Sequence, residues 1–309
     1  MSQPPELPEV GVRVSLRYLR PPGSAPSMGD VVGHLVETGP RVRVRSSDGV
    51  THEFRHADVL YVRRLTDRPV KNSAIRSVEH AAALAWPGSE HRWLDGWLLR
   101  AGPGGDLAAN SAVPLDMFAH TSTVPAIIDW YEQRGLPPCL AVPERLLRLP
   151  EDIPTRYETR TLVREVTVGT PAGDVALAVE PDAGWLAVFG GFAPVEVLTA
   201  VVDGDVVFAT VEGVATGRAA VTEAPDGTRW LGLSALRVAQ DHRRQGHGRA
   251  ICAALQAWGL DRGATRGYAQ VPSGPDDKAG AFSFFEAVGF AGQHRTRYLD
   301  GRLLRPPRS

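Results

Sequence analysis

Strict alternation of apolar and polar side chains marks the first 65 residues. Gly11-Val12-Arg13-Val14-Ser15-Leu16-Arg17-Tyr18 has the two-residue period of a half-buried strand. Val31 to Val36 is a second short run. Arg41-Val42-Arg43-Val44-Arg45 alternates before a hairpin turn, Ser47-Asp48-Gly49-Val50. Val59-Leu60-Tyr61-Val62 closes the set. So many short strands in so little chain predict a small β-barrel over residues 1–68, with Thr66 to Lys71 as linker.

Beyond the linker the period lengthens. Ile75, Val78, Ala82 and Ala85 share one face of a helix that Ser73 would cap and Pro87-Gly88 would stop. Trp97 to Arg100 and Ala109 to Val113 read as strands joined by Gly102-Pro103-Gly104-Gly105. Ser122 or Thr123 opens a second helix that ends at Gly135, and Pro137-Pro138 forces extended chain. From Tyr157 onward strands and helices mix. Leu162–Val168 is a strand, Pro194–Val202 a short helix, and Val206–Val211 with Ala215–Val221 a hairpin. Trp230–Val238 is almost uncharged, as a central strand must be. A loop, a helix from Gly248 to Leu260, a strand over Gly267–Val271, a helix over Gly280–Val288 and a strand over Arg295–Leu299 complete the chain. The fold class is α/β with a mixed central sheet and flanking helices, preceded by a barrel of SH3-like type.

Composition narrows the function classes. The 309 residues are 43% hydrophobic and 22% charged, which is globular, and the net charge of −1 gives no polycation for nucleic acid or membrane. Residues 11–65 carry nine arginines, no lysine and five carboxylates, about +4. Without a cluster of stacking aromatics this reads as a solvated strand face, making a protein partner through the basic barrel a candidate and nucleic acid a poor one. Cys139 and Cys252 form no disulfide framework and show no metal-ligand spacing. With neither a leader-like N-terminus nor a long apolar run, the chain is expected to be cytoplasmic.

The chemistry concentrates in Leu236-Arg237-Val238-Ala239-Gln240-Asp241-His242-Arg243-Arg244-Gln245-Gly246-His247-Gly248-Arg249-Ala250. A strand ends at Val238, a helix begins near Gly248, and Arg-x-x-Gly-x-Gly lies between. A helix N-terminus offers unpaired N–H groups and the positive end of its dipole, which favours an anion. Gly246 and Gly248 let backbone approach a phosphate, and Arg243, Arg244 and Arg249 add charge against Asp241. The dinucleotide fingerprint fails at Ile251, where a third glycine belongs, and no Gly-Lys-Ser/Thr is present.

With Lys278-Ala279-Gly280-Ala281-Phe282-Ser283-Phe284-Phe285-Glu286-Ala287-Val288-Gly289-Phe290, these segments resemble the acetyl-CoA core of the GCN5-related N-acetyltransferase (GNAT) family. The resemblance implies that Leu236, Arg237 and Val238 pair with the pantetheine arm of acetyl-CoA. It also implies that backbone N–H groups of Arg244, Gln245, Gly246, His247, Gly248 and Arg249, with Arg243 beside them, hold the pyrophosphate. An amine would then attack the thioester directly. Lys278 stands where the family has Asn, and Phe285 where it has a general-acid Tyr; Phe285 would pack beside the sulfur. The strand Trp230–Val238 also lacks the usual base, Glu. Tyr268 and Tyr298 are candidate acids and Glu212 the candidate base. His242 and His247 border the cradle, and Cys252 reads as packing.

Tyr131-x-x-x-Gly135 resembles a degenerate copy of the same block, so residues 69–150 are expected to be a decayed GNAT-like half and residues 151–309 the catalytic domain. The whole chain resembles an actinobacterial GNAT group, some of whose members are described as N-acetylglutamate synthases. That implies a free amino acid as acceptor, with Arg100, Arg160 and Arg164 as available cations. A protein lysine, a drug-like amine, or acetyl-CoA binding with little turnover are the alternatives.

Overall fold

The computed structural model describes residues 5–8, 10–46, 49–65, 70–104, 106–149, 153–167, 174–191, 193–273 and 280–304. The chain divides into two compact units, Met1–Val70 and Lys71–Ser309.

The first unit is one antiparallel sheet of β1 (Arg13–Leu19), β2 (Met28–Glu37), β3 (Arg41–Ser46), β4 (Thr51–Arg55) and β5 (Val59–Arg64), in the order β4-β3-β2-β1-β5. Four of these strands follow the alternating runs; β4 had no such run. Alternation sets the inner face, where Val14, Leu16, Val31, Leu35, Val42, Val44 and Val59 are buried. No β4–β5 pairing closes the sheet among the described residues. On the outer side Arg17 pairs with Asp30, Arg41 with Glu53, Arg43 with Glu37 and Glu53, and Arg55 with Asp58.

The second unit begins with α1 (Asn72–Ala85). Lys71 is its N-cap and makes no side-chain capping bond; Ser73, expected to cap, already lies inside the first turn. β6 (Glu90–Leu94) and β7 (Trp97–Ala101) then pair through Asp95-Gly96, both at positive φ. Of the strand expected at Ala109–Val113, only Val113 joins β8 (Val113–Pro114). Side chains capture the backbone before it. Asp106 accepts from Ala108 N, and Asn110 bonds Gly102 N, Gly104 O and Asp106 O. Next come α2 (Val124–Glu132) and β9 (Cys139–Pro143).

β10 (Tyr157–Glu165), β11 (Ala176–Ala178), α3 (Ala183–Phe189), α4 (Val195–Thr199), β12 (Asp205–Val211), β13 (Ala215–Glu223) and β14 (Arg229–Val238) follow. The expected strand Leu162–Val168 thus starts five residues earlier and stops at Glu165; Val168 lies outside the described residues. α3 was not expected; Asp182 caps it, accepting from Trp185 N at 2.7 Å. The chain closes with α5 (His247–Asp261), β15 (Arg266–Pro272), α6 (Ala281–Ala287) and β16 (Ala291–Asp300).

One eight-stranded sheet, β11-β12-β13-β14-β15-β10-β16-β9, spans the unit. Every pairing is antiparallel except β14–β15. One face is apolar: Leu231, Leu233, Ala269, Val271 and Leu162 pack with Ile251, Leu255 and Trp258 of α5 and with Phe285 and Phe290. The other face, beneath α1, is polar and still buried. It carries Thr161, Arg218, Thr222, His294 and Thr296. Among the bonds that fix α1 there are Trp230 Nε1 to Ser77 Oγ at 3.0 Å and Thr222 Oγ1 to Ala81 O at 2.8 Å.

Candidate active site

The parallel pair β14–β15 holds only from Trp230↔Arg266 to Leu233↔Ala269. Beyond that point each strand continues with its other neighbour alone. Arg237 and Val238 stay paired to Thr216 and Ala215 of β13, and Gln270 to Pro272 stay paired to β10. The inner edges of the two strands therefore diverge, and Ser234 to Val238 present backbone N–H and C=O groups into a wedge. Where the strands part, Ala235 holds φ +51, rare for a residue with a Cβ, and the β13–β14 register shifts. Such an edge accepts an extended chain as an added strand.

The wedge leads to the loop before α5. Arg243 folds back, its Nε donating to Val238 O at 3.3 Å, and Gln245 Nε2 donates to Asp241 O at 3.2 Å. Arg244 and Gly246 hold φ +64 and +92, which turn the chain into the helix. Ala250 N donates to Gly246 O; among the described residues the N–H groups of Arg244 to Arg249 have no acceptor. A row of free N–H groups at the positive end of a four-turn helix is a seat for an anion. Gly248 is buried, whereas Arg243, Arg244 and Arg249 are exposed. His242 and His247 stand edge to face at 6.2 Å. Lys278 lies outside the described residues.

The remaining candidates separate. Tyr268 is 5% exposed and lies just before the divergence, opposite Gly232. A Cβ on Gly232 would collide with the Tyr268 hydroxyl, so this glycine makes room for the ring. Tyr298, 4% exposed, lies two strands farther, its ring 5.6 Å from that of Tyr157. Burial pushes both hydroxyls well above the usual tyrosine range, and the charge of Glu79 adds to it. Glu212 is exposed at the β12–β13 turn, beside Val214, whose carbonyl accepts from Ala239 N. That turn is at the loop end of β14, roughly 13 Å from Ser234 at about 3.3 Å per residue, and away from both tyrosines. Phe285 is in the apolar core, 5.3 Å from Phe284 and from Phe290. Cys252 is also in that core, its thiol pushed up to about 12 by burial.

Sequence reasoning missed Glu79, Arg218 and His294, buried on the α1 side. Glu79, buried on α1 but still 4% exposed, accepts at Oε1 from Thr161 Oγ1 (3.1 Å) and Gln270 Nε2 (2.9 Å), and faces His294 Nε2 (2.7 Å). Burial opposes its ionisation. The bonds from His294 and Thr161 and the charge of Arg100 outweigh burial and hold the carboxyl below the usual range. Arg218 donates to Leu198 O, Ala85 O and Ala200 O, reaches Ser234 Oγ at 3.4 Å, and is pulled down to about 9 by burial. One signal was legible: Glu79 sits between Val78 and Ala82 and four residues after Ile75, inside the apolar stripe of α1.

The arginines proposed for a dicarboxylate do not converge. Arg100 is spent on Ser111 and Trp86 O. Arg160 lies over the Phe282 ring, and Arg164 bonds Val288 O beside Phe290. A cavity of about 370 Å³ lined by Glu165, Thr167, Leu260 and Thr265 opens at the opposite end of β15 from the wedge. No helix among the described residues is long and apolar enough to cross a membrane.

Residues 72–299 match the family model described as "Probable histone acetyltransferase Rv0428c C-terminal", and residues 8–63 match "Rv0428c N-terminal Sm-like domain". The small β domain is thus matched as Sm-like. A Mycobacterium tuberculosis protein, "Probable histone acetyltransferase Rv0428c", is 50% identical over 298 residues, 96% of this chain and 97% of its own length. Among solved structures, a GCN5-related N-acetyltransferase from Kribbella flavida aligns with TM-score 0.46 and 18% identity over 71% of this chain and 94% of its own. One from Sphaerobacter thermophilus aligns with 0.37 and 13% over 85% and 81%. The second unit, a mixed sheet with a diverging parallel pair and a loop–helix anion seat, has a GNAT-like α/β fold. The chain belongs to the Rv0428c family of probable histone acetyltransferases, and it is an N-acetyltransferase.

Proposed function

We propose that this enzyme takes acetyl from acetyl-CoA and gives it to a lysine side-chain amine of a protein. The divergence of β14 from β15 immediately before the unpaired N–H groups of Arg244 to Arg249 carries the reading. The pantetheine arm adds as a strand along Leu236 to Val238, and the pyrophosphate sits on the N-terminus of α5. The thioester then lies where Ala235 bends β14, open to the polar face beneath α1, from which the amine attacks. Tyr268 is the proposed proton donor to the departing thiolate, because burial keeps its hydroxyl protonated and it stands at the divergence.

Two observations support a protein amine over a free amino acid. Arg100, Arg160 and Arg164 are dispersed and already engaged, so these three do not make a pair of cations for two carboxylates. The relative that is 50% identical is described as a probable histone acetyltransferase. Thiol release from acetyl-CoA, measured with a lysine-containing peptide and with free amino acids, tests the assignment. The peptide is expected to be the better acceptor; glutamate as the better one would reverse it.

A further inference from the structure

We propose that the Glu79 carboxylate accepts the proton that leaves the acceptor amine. The inference rests on acetyl transfer at the wedge and assigns a base that β14 does not supply. Glu79 reaches the wedge from α1. Gln270, which donates to its Oε1, is the first residue of β15 past the last β14–β15 pair, Leu233↔Ala269.

The two carboxylate oxygens are treated differently. Oε1 takes the bonds from Gln270 and Thr161, lies 2.7 Å from His294 Nε2 and 3.5 Å from Thr296 Oγ1. Oε2 bonds to no described residue, yet it is not among the polar atoms sealed from solvent without a partner. The side chain keeps 5% of its surface exposed, and Oε2 retains part of that small solvent-facing surface. The hydroxyls of Tyr268 and Tyr298 are likewise unbonded and unsealed. A carboxylate fixed through one oxygen and open through the other is built to receive a proton, whereas a purely structural glutamate would spend both.

The step balances. An ammonium gives one proton to Glu79 Oε2, and the neutral nitrogen bonds the thioester carbon. The carbon–sulfur bond breaks, the Tyr268 hydroxyl protonates the departing thiolate, and the second amine proton restores the Tyr268 hydroxyl, leaving neutral amide and free thiol. Glu79 returns its proton to solvent through the same opening. His294, Gln270 and Thr161 are positioning residues. The ionisable groups facing Glu79 are His294 and Tyr298 on β16, Tyr268 on β15 and Arg100 on β7, with Arg218 of β13 beside Tyr268. Donors to the carboxylate keep it ionised, so kcat/KM should fall as pH drops through its lowered pKa.

Full-length chain, acetyl-CoA and a lysine-containing peptide make the test. Glu79→Gln is expected to lower kcat 100-fold or more and to leave acetyl-CoA affinity within twofold. Thr161→Val removes one donor to Oε1, which raises the carboxyl pKa, so the acidic limb of kcat/KM should move to higher pH. A Glu79→Gln chain that binds acetyl-CoA and keeps kcat within fivefold would overturn the inference. So would an acidic limb unmoved in Thr161→Val, which decides the matter if Glu79→Gln does not fold. A wild-type chain that releases no thiol would instead remove the acetyl-transfer reading itself.

Discussion

Arg244 and Gly246 hold the left-handed backbone that aims successive N–H groups out of the loop, and only Gly246 does so without a Cβ penalty. Gly246→Asp adds that strain and a carboxylate at an anion seat. Acetyl-CoA affinity by calorimetry should fall more than tenfold, over about 1.4 kcal/mol; an unchanged affinity would remove the seat. Phe285 lies in an apolar cluster, with the rings of Phe284 and Phe290 beside it. Phe285→Tyr should therefore cost about 1–3 kcal/mol of stability for a buried hydroxyl and change kcat little. Tyr268→Phe should lower kcat tenfold or more while the melting temperature holds. Equal and small effects in both would leave protonation of the thiolate to water.

At the scale of elements, α1 closes the polar face, and its seat is the Trp230–Ser77 bond. Ser77→Ala leaves a buried indole N–H without acceptor, which should cost about 1–3 kcal/mol in denaturant unfolding. A loss under about 0.5 kcal/mol would show that the other contacts of α1, those of Glu79, Ala81 and Ala85 among them, hold it without this bond. The elements that bear the anion seat were legible because β14, α5 and α6 each have one apolar face and clear stops. The polar face was not. β10 buries Thr159 and Thr161, so its first half reads as exposed chain, and its insertion between β15 and β16 has no local signal. The β6–β7 hairpin was announced by Asp95-Gly96, the strongest two-residue turn signal, and was overlooked because Glu90 to Trp93 has no alternation. Glu79 was written in the stripe of α1, but its partners come from β10, β15 and β16, up to 215 positions away.

For the whole molecule, Met1–Val70 and Lys71–Ser309 each have their own core. A fragment of residues 71–309 should be soluble and bind acetyl-CoA within threefold of the full chain; a fragment blind to acetyl-CoA would make the Sm-like unit part of the cofactor site. The central claim is that acetyl-CoA lies along the diverging edge of β14 and on the N-terminus of α5. Amide hydrogen exchange with and without saturating acetyl-CoA reads this directly, because bound ligand slows exchange where it takes up N–H groups. Slower exchange is expected at residues 236–238 and 244–249, with β11 and β12 unchanged. Protection confined to the cavity near Glu165 and Thr265, or none at residues 244–249, would contradict it.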